Sequence, residues 1–283
     1  MKFFATTTKG LVDVLADELA SLNVRDIVPA NGGVNFSGSS RDGYRACLWL
    51  RTANRVLQPI ASFPCPSQEA LYAGVYGLNW NELLTPSMTL AVSAKLRDSE
   101  ITHSHFAALK TKDAIVDKIR DKCGERPNVD SKNPDLRVNL HLARNHCTVS
   151  LDLAGAGLHR RGYRRDPTIA PLKETLAAGL VALTGWDQST PFVDPMCGSG
   201  TFPIEAAMIA CHKAPALERE VWGFDYWLMH DAKIWSALKL SAIDIFEQGK
   251  QAYRGRIVGF DADNKVIQRA WDNIKKAGFE QLI

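Results

Sequence analysis

The chain lacks long apolar segments. No stretch approaches the roughly 18 consecutive apolar residues that a membrane-spanning helix requires, and residues 1–6 lack the apolar core of a signal peptide. At the level of the sequence these absences argue against membrane-spanning and secreted proteins. We expect a cytoplasmic protein with no membrane partner.

Cysteine is sparse and scattered. The six cysteines form no CxxC pair and no ladder with histidine, so neither a zinc site nor a disulfide framework is indicated. His103 and His105 are separated by one residue, but the sequence offers no third ligand beside them. We interpret the two histidines as surface or RNA-facing side chains, and we expect no bound metal.

A strong excess of one charge is also absent. The net charge is +3, and residues 161–283 carry 15 Lys and Arg against 15 Asp and Glu, which alone does not indicate a nucleic-acid-binding protein. One basic cluster near the middle of the chain consists of Arg160, Arg161, Tyr163, Arg164 and Arg165. Clustered arginines bind phosphates, and an interleaved tyrosine can stack on a base. A solvated linker or ion pairs between domains would explain the same cluster.

Length and periodicity indicate about two globular units, since 283 residues with 46% hydrophobic content can bury substantial cores. The first 160 residues alternate short strands with amphipathic helices, which is typical of an α+β fold. The predicted strands are 2–6, 26–29, 33–36, 89–94, 137–142 and 147–153, and the predicted helices are 10–22, 44–56 and 106–120. Segment 63–66, with two prolines, is predicted to break regular structure and to separate a unit at 1–64 from a unit at 65–158.

After residue 171 the pattern changes to helices alternating with buried strands, which is the opening of a doubly wound α/β sheet and defines a unit at 159–283. The predicted order is helix 172–183, strand 191–194, helix 202–211, strand 256–261 and helix 264–277. An insertion at 214–254 has no function that the sequence indicates. Its tryptophans, Trp222, Trp227 and Trp235, are interpreted as core residues.

A glycine-rich loop follows the predicted strand at 191–194 and begins the next helix. Its residues are Asp194, Pro195, Met196, Cys197, Gly198, Ser199, Gly200 and Thr201. The glycines allow a tight turn and direct contact between backbone and ligand, and the helix start supplies free N–H groups. Neither a Walker sequence nor GxGxxG is present. The loop therefore suits a nucleotide-like cofactor with little phosphate.

A carboxylate follows the neighbouring strand. Asp261 is placed to accept hydrogen bonds from both ribose hydroxyls of an adenosine moiety, although a role as N-cap of the next helix fits Asp261 and Asp263 equally when each is taken alone. Cys197 could suggest a nucleophile for cytosine-C5 chemistry. Its place in the cofactor loop favours a small side chain that lines the pocket instead.

These motifs resemble those of the bacterial THUMP-containing guanine-N2 methyltransferases of large-subunit (23S) ribosomal RNA. The resemblance rests on the loop 194–201 with the following 204–208, on 158–164, on 170–177, on 112–117, and on Phe4-Ala5-Thr6 followed by Gly10-Leu11. It implies a ferredoxin-like segment, a THUMP domain that binds ribosomal RNA, and the first strands of a Rossmann-like methyltransferase domain that uses S-adenosylmethionine.

The resemblance also implies roles for individual residues. Residues 194–201 and Asp261 would bind S-adenosylmethionine, with Lys173 close to the cofactor. RNA contacts are expected from Lys110 and Lys112 of the predicted helix 106–120 and from the basic cluster at 160–165. Such enzymes carry an Asn-Pro-Pro-Tyr motif after the fourth strand, and this chain contains none.

We therefore expect an RNA methyltransferase whose catalytic motif lies beyond Ile283, so that these residues alone bind RNA and part of the cofactor site without catalysis. Two alternatives are a noncatalytic RNA-binding protein with a vestigial Rossmann half and an amino-directed DNA adenine methyltransferase. An open sheet edge would make the chain prone to associate with a second copy.

Overall fold

The computed structural model describes residues 1–164 and 172–283. In its first half the strands are β1 (Lys2–Thr7), β2 (Arg25–Ala30), β3 (Gly33–Ser37), β4 (Ala53–Pro64), β5 (Thr89–Arg97), β6 (Asn128–Val129), β7 (Leu136–Ala143) and β8 (His146–Asp152). The helices of this half are α1 (Val12–Ser21), α2 (Ser40–Trp49), α3 (Gln68–Tyr76) and α4 (Ser104–Cys123), with a 3-10 turn at Trp80–Glu82. Within the described residues all eight strands join one sheet in the order β2-β3-β1-β4-β8-β7-β5-β6.

Strand β4 connects the two parts of this sheet. Its residues Ala53 to Leu57 pair with β1, and its residues Leu57 to Pro64 pair with β8. The predicted break at 63–66 is therefore wrong for Phe63 and Pro64, which lie in the strand. Prolines are tolerated here because the register shifts between Pro59 and Ala61 and because Pro64 is the last residue of the strand.

The predicted helix 44–56 is displaced. Helix α2 begins after Ser39, whose hydroxyl accepts from the N–H of Asp42 while the Asp42 carboxylate accepts from the N–H of Ser39, a reciprocal cap that fixes the helix start. The helix ends at Trp49. Residues 53–56 form strand instead, because Ala53 and Val56 are buried in the sheet.

The predicted hairpin at 137–153 is confirmed. Arg144 and Asn145 join β7 to β8 with φ of +50° and +55°, the two positive angles of a type I′ turn that matches strand twist. Side chains of β5 and β7 alternate: leucines and valines pack toward α4, and polar side chains point to the opposite face. The sheet therefore has a helix-covered face and an open polar face in this region.

The second half begins with α5 (Glu174–Leu183), β9 (Phe192–Asp194) and α6 (Thr201–Ala210), and continues with α7 (Ala232–Ala252), β10 (Ile257–Gly259) and α8 (Asn264–Ala277). Strands β9 and β10 are parallel, which confirms the predicted order of helices and strands, but β9 is not buried as predicted: Val193 is 55% exposed. Helix α7 was not predicted. It belongs to the insertion, whose three tryptophans are buried in the same core as the first half, which confirms their interpretation as core residues.

No helix in residues 1–164 and 172–283 is both long and apolar enough to cross a bilayer.

Candidate functional site

The glycine-rich loop and the end of β10 are joined by backbone hydrogen bonds. Asp194 ends β9 opposite Gly259 of β10. The N–H of Phe260 donates to the carbonyl of Asp194 at 2.8 Å, and the N–H of Cys197 donates to the carbonyl of Phe260 at 2.7 Å. The structure thus brings together the ends of β9 and β10, which the sequence analysis predicts to be the two parts of one site.

The loop needs glycine at two positions. Gly198 and Gly200 have φ of +54° and +81°, a left-handed conformation that other residues rarely adopt. A Cβ added to Gly198 would meet nothing within 4 Å, so its Cα faces open space, whereas a Cβ added to Gly200 would lie 3.3 Å from the Cβ of Ala270 on α8. Asn273 holds the loop by donating to the carbonyl of Ser199. The open side at Gly198 is where a ligand can approach the backbone.

Asp261 is held in place by two backbone donors. Its carboxylate accepts from the N–H groups of Gly198 and Asp263, each at 3.0 Å, and these bonds hold the pKa of Asp261 below its usual value. Asp263, by contrast, is the N-cap of α8 and accepts from Lys265. The capping role therefore belongs to Asp263, and the ionised Asp261 keeps lone pairs for two hydroxyl donors.

Asp194 has an unused oxygen. Its Oδ1 accepts from the N–H of Met196 at 3.1 Å, while Oδ2 is buried without a hydrogen-bond partner among the described residues. Burial, opposed by that hydrogen bond and reinforced by Asp261, raises the pKa of Asp194. A buried acceptor without a donor is costly in an otherwise satisfied structure, so Asp194 fits a bound ligand that supplies an N–H or O–H group.

Cys197 is a buried side chain of the loop. Burial, followed by the nearby carboxylates of Asp194 and Asp261, raises the pKa of its thiol. Nucleophilic cysteines require the opposite shift. The interpretation of Cys197 as a small lining residue therefore agrees with its environment.

Two members of the basic cluster, Arg161 and Tyr163, are internal, which corrects their interpretation as RNA-binding residues. Arg161 is 1% exposed, pairs with Glu205 of α6 at 3.4 Å, and donates to the carbonyls of Leu158 and Arg51. Tyr163, also 1% exposed, donates to the same Glu205 carboxylate at 3.3 Å. These two side chains cannot reach an RNA strand in this conformation because the protein interior surrounds them.

Arg164 connects the cluster to the glycine-rich loop. Its guanidinium pairs with Glu174 of α5 at 3.2 Å and donates to the Thr201 hydroxyl at 2.7 Å. Sequence reasoning missed Glu174 and Glu205 as the partners of these arginines. Each is a single carboxylate on an otherwise apolar helix, which is the signal that could have identified them.

The remaining predicted contacts lie in three places. Arg160 and Lys173 are exposed, and Lys173 is the N-cap residue of α5. On α4, the ammonium of Lys110 lies 5.1 Å from the ring centre of Tyr72, and Lys112 pairs with Asp113. Arg165 lies outside the described residues, as do residues 170 and 171 of the quoted motifs.

Comparisons with known proteins agree with this geometry. A family model described as an RMKL-like methyltransferase domain matches residues 161–283, a THUMP domain model matches 66–152, and a model of the RlmL ferredoxin-like domain matches 2–57. A solved structure from Listeria monocytogenes, described as a predicted N6-adenine-specific DNA methylase, is 32% identical with a TM-score of 0.89. The match covers 100% of this chain and 73% of that one. The chain belongs to the family of THUMP-containing RMKL-like methyltransferases.

Two further members of this family are informative. SMU.472, a putative methyltransferase solved in complex with SAH, is 32% identical with a TM-score of 0.88 over 99% of this chain and 73% of that one. The ribosomal RNA large subunit methyltransferase K/L of Syntrophotalea carbinolica is 46% identical over 99% of this chain. The chain spans 40% of the length of that curated relative. The predicted fold, a ferredoxin-like and THUMP half followed by a Rossmann-like methyltransferase half, is confirmed.

Proposed function

We propose that the chain is part of an S-adenosylmethionine-dependent RNA methyltransferase. The observation that carries the proposal is the joined pair of strand ends, where an open glycine backbone, the unpartnered Oδ2 of Asp194 and the ionised Asp261 face one site. The complex of the relative SMU.472 with SAH, the product of methyl donation, supports this cofactor. The THUMP match supports RNA as the partner.

The proposed roles follow from the hydrogen-bonding capacity of each residue. Asp261 accepts the ribose hydroxyls, Gly198 and Gly200 let the backbone contact the cofactor closely, and Asp194 accepts from a donor of the methionine moiety. Cys197 and the neighbouring loop residues line the pocket, and Lys173, the N-cap residue of α5, lies near the cofactor. When bound, the cofactor supplies an activated methyl group.

The finer substrate assignment is part of the proposal. The name of the Syntrophotalea relative favours large-subunit ribosomal RNA, and the sequence motifs favour the exocyclic N2 of a guanine. We place the protein in the cytoplasm accordingly. We assign separate roles to the units 1–64, 65–158 and 159–283, and RNA binding belongs to the unit 65–158. Because the 283 residues contain no Asn-Pro-Pro sequence, we expect no methyl transfer by this chain alone.

Calorimetric titration with S-adenosylmethionine tests the cofactor assignment. We expect weak binding that disappears in Gly198→Val, where a β-branched side chain would occupy the open face, and in Asp261→Ala. Gly278→Val, at another positive-φ glycine with free space around it, is the matched control and should bind as the parent does. Equal binding by Gly198→Val and Gly278→Val would show that the loop is not the cofactor site.

A second candidate is an amino-directed DNA adenine methyltransferase, which the description of the Listeria relative favours. A third, a noncatalytic RNA-binding protein, would also explain the missing motif. Parallel titrations with RNA and DNA of the same sequence separate the first two, because a DNA enzyme should prefer DNA. Absence of cofactor binding together with tight RNA binding would favour the third.

A further inference from the structure

The open polar face of the large sheet carries basic side chains. Lys95 of β5, His141 of β7 and Thr148 of β8 are direct neighbours across three strands, and Lys95 and His141 are exposed. Lys95 lies on the face opposite to α4, because its sequence neighbours Ala94 and Leu96 pack toward the core. This surface is distinct from the helical face that bears Lys110 and Lys112.

The basic face continues toward the middle of the sheet. Arg137 of β7 shares it and is partly exposed. Next comes Arg55 of β4, which pairs with the buried Asp152 and donates to the carbonyl of Gly155 at 2.7 Å. Arg219 binds the same loop through the carbonyls of Ala154 and Ala156. These arginines hold the loop after β8 against the sheet and extend the positive surface along it.

The loop leads directly to the methyltransferase unit. The exposed Arg160 follows it and donates its N–H to the carbonyl of Gly157. The N–H of Leu158 donates to the carbonyl of Asn54, and the Asn54 side chain accepts from the hydroxyl of Thr175 on α5. The first turn of α5, with the exposed Lys173 before it, therefore adjoins the strand that carries Arg55.

The carboxylates along this path adjoin its cations: Asp130 interacts electrostatically with Arg137, and the exposed Glu218 and Glu220 flank Arg219. The carboxylate of Asp152 is buried against Arg55, and Asp98 pairs with Arg97 at 3.2 Å. Burial and then the charges of Lys95 and Arg97 lower the pKa of His141. Burial and then Lys173 and Arg160 lower the pKa of His159 to about 4. Both imidazoles are thus neutral at pH 7, and the fixed positive charges are those of lysine and arginine.

We propose that Lys95, Arg137, Arg55, Arg160 and Lys173 form a basic track that binds the sugar-phosphate backbone of RNA and leads it from the sheet to the cofactor loop. The inference rests on the proposed function, because it assigns a path to the RNA that the function requires. The occupant follows from charge complementarity: a row of lysine and arginine side chains, of which Lys95, Arg160 and Lys173 are exposed, suits a polyanion. The track ends at α5, whose Glu174 is joined through Arg164 to Thr201 of the loop.

Fluorescence anisotropy with a labelled single-stranded RNA, over a series of salt concentrations, tests the track in the full chain. The test variant combines Lys95→Gln, Arg137→Gln and Arg160→Gln. Loss of three phosphate contacts should weaken binding by about tenfold or more at physiological salt and reduce the slope of log K against log salt by about 2. The matched control combines Lys118→Gln, Arg120→Gln and Lys122→Gln on α4, and it should bind within about twofold of the parent. Thermal melting checks that both variants fold.

Each outcome has a distinct meaning. If the parent binds RNA and the track variant keeps both affinity and salt slope, the track is wrong while the proposed function stands. If the α4 variant alone loses affinity, RNA binds the helical face and the track is again wrong. If the folded parent binds no RNA at any salt concentration, the proposed RNA-directed function fails as well.

Discussion

At the scale of single residues, the buried pair of Arg161 and Glu205 lies where the unit 159–283 meets the first half of the molecule. Both side chains have no exposed surface, and Arg161 also donates to the carbonyl of Arg51 at 2.5 Å. Removing one member of such a pair leaves an uncompensated charge in the interior. The pair is therefore required for the structure of this junction. This requirement does not depend on any contact that the neighbouring exposed Arg160 makes.

Glu205→Ala should lower the free energy of unfolding by about 3–5 kcal/mol, since it strands the Arg161 guanidinium and the Tyr163 hydroxyl. Denaturant titration measures the change. The control, Glu247→Ala, breaks an exposed pair with Lys250 and should cost less than about 1 kcal/mol. Equal losses in the two variants would mean that the Arg161–Glu205 pair is not buried as described.

Histidine titration gives a second test at this scale. Proton NMR should find His159 with a pKa of about 4, and Lys173→Gln should raise that pKa because a nearby positive charge has been removed. Since the pKa in the folded protein is below that of the unfolded chain, the neutral His159 contributes stability above pH 6.5 that declines as the pH falls toward 4. Leu240→Gln, a substitution at an exposed position of α7, should leave the titration unchanged, and a pKa near 6.5 in the parent would contradict the predicted environment.

At the scale of elements, the β7–β8 hairpin depends on its two-residue turn. Asn145 has φ of +55°, and its side chain accepts from the N–H of Glu100 at 2.8 Å. Asn145→Val should destabilise the protein by about 1–2 kcal/mol more than Asn145→Gly, because both lose the side-chain bond but only valine resists the left-handed conformation. Thermal unfolding compares the two, and equal stability would rule out a type I′ turn in solution.

This hairpin also shows what the sequence could predict. Alternating polar and apolar residues on both sides of Arg144-Asn145 suffice to predict the strands and the turn. The strand-loop-helix context of Gly198 and Gly200 suffices to predict the glycine-rich loop and its closeness to Asp261. The predicted helix 44–56 ran too far because the apolar Ala53 and Val56 fit either period, and only long-range pairing with β1 makes this segment a strand. Helix α7 was missed because its exposed face also carries apolar residues, which obscure the amphipathic pattern. These residues are Leu240, Ile243 and Ile245.

The arginine cluster was misread for a related reason. Adjacent charges in a sequence indicate a surface, but burial depends on partners far along the chain, and Glu205 lies 44 residues from Arg161. Similarly, the basic track gathers residues from β4, β5, β7 and the loop before α5, so no local segment of the sequence reveals it. Composition likewise gave no signal, because the net charge of +3 is spread over 283 residues.

At the scale of the whole molecule, the small sheet leaves apolar surface in contact with solvent. Strands β9 and β10 pair only with each other among the described residues, and Val193 and Phe260 beside them are 55% and 57% exposed. A two-stranded parallel sheet is normally covered on both faces and flanked by further strands. This surface is where we propose that two copies of the chain associate.

Light scattering over a range of concentrations should show self-association of the parent that Val193→Lys reduces, because a charge at the open edge opposes strand pairing. The control is Leu240→Lys, an equally apolar and exposed position on α7, which should associate as the parent does. A strictly monomeric parent whose residues 191–283 resist hydrogen exchange as well as residues 1–160 would contradict the prediction.

The shared strand β4 limits how this architecture can be divided or inherited. The ferredoxin-like and THUMP matches end and begin at residues 57 and 66, whereas the strand between them runs continuously from Ala53 to Pro64, pairing with β1 up to Leu57 and with β8 from Leu57 onward. Expressing either half separately would leave one of these two segments of β4 without its partner strand, as a template for aggregation. Recombination between homologues would meet the same barrier, so the two segments are expected to be exchanged in evolution as one cassette.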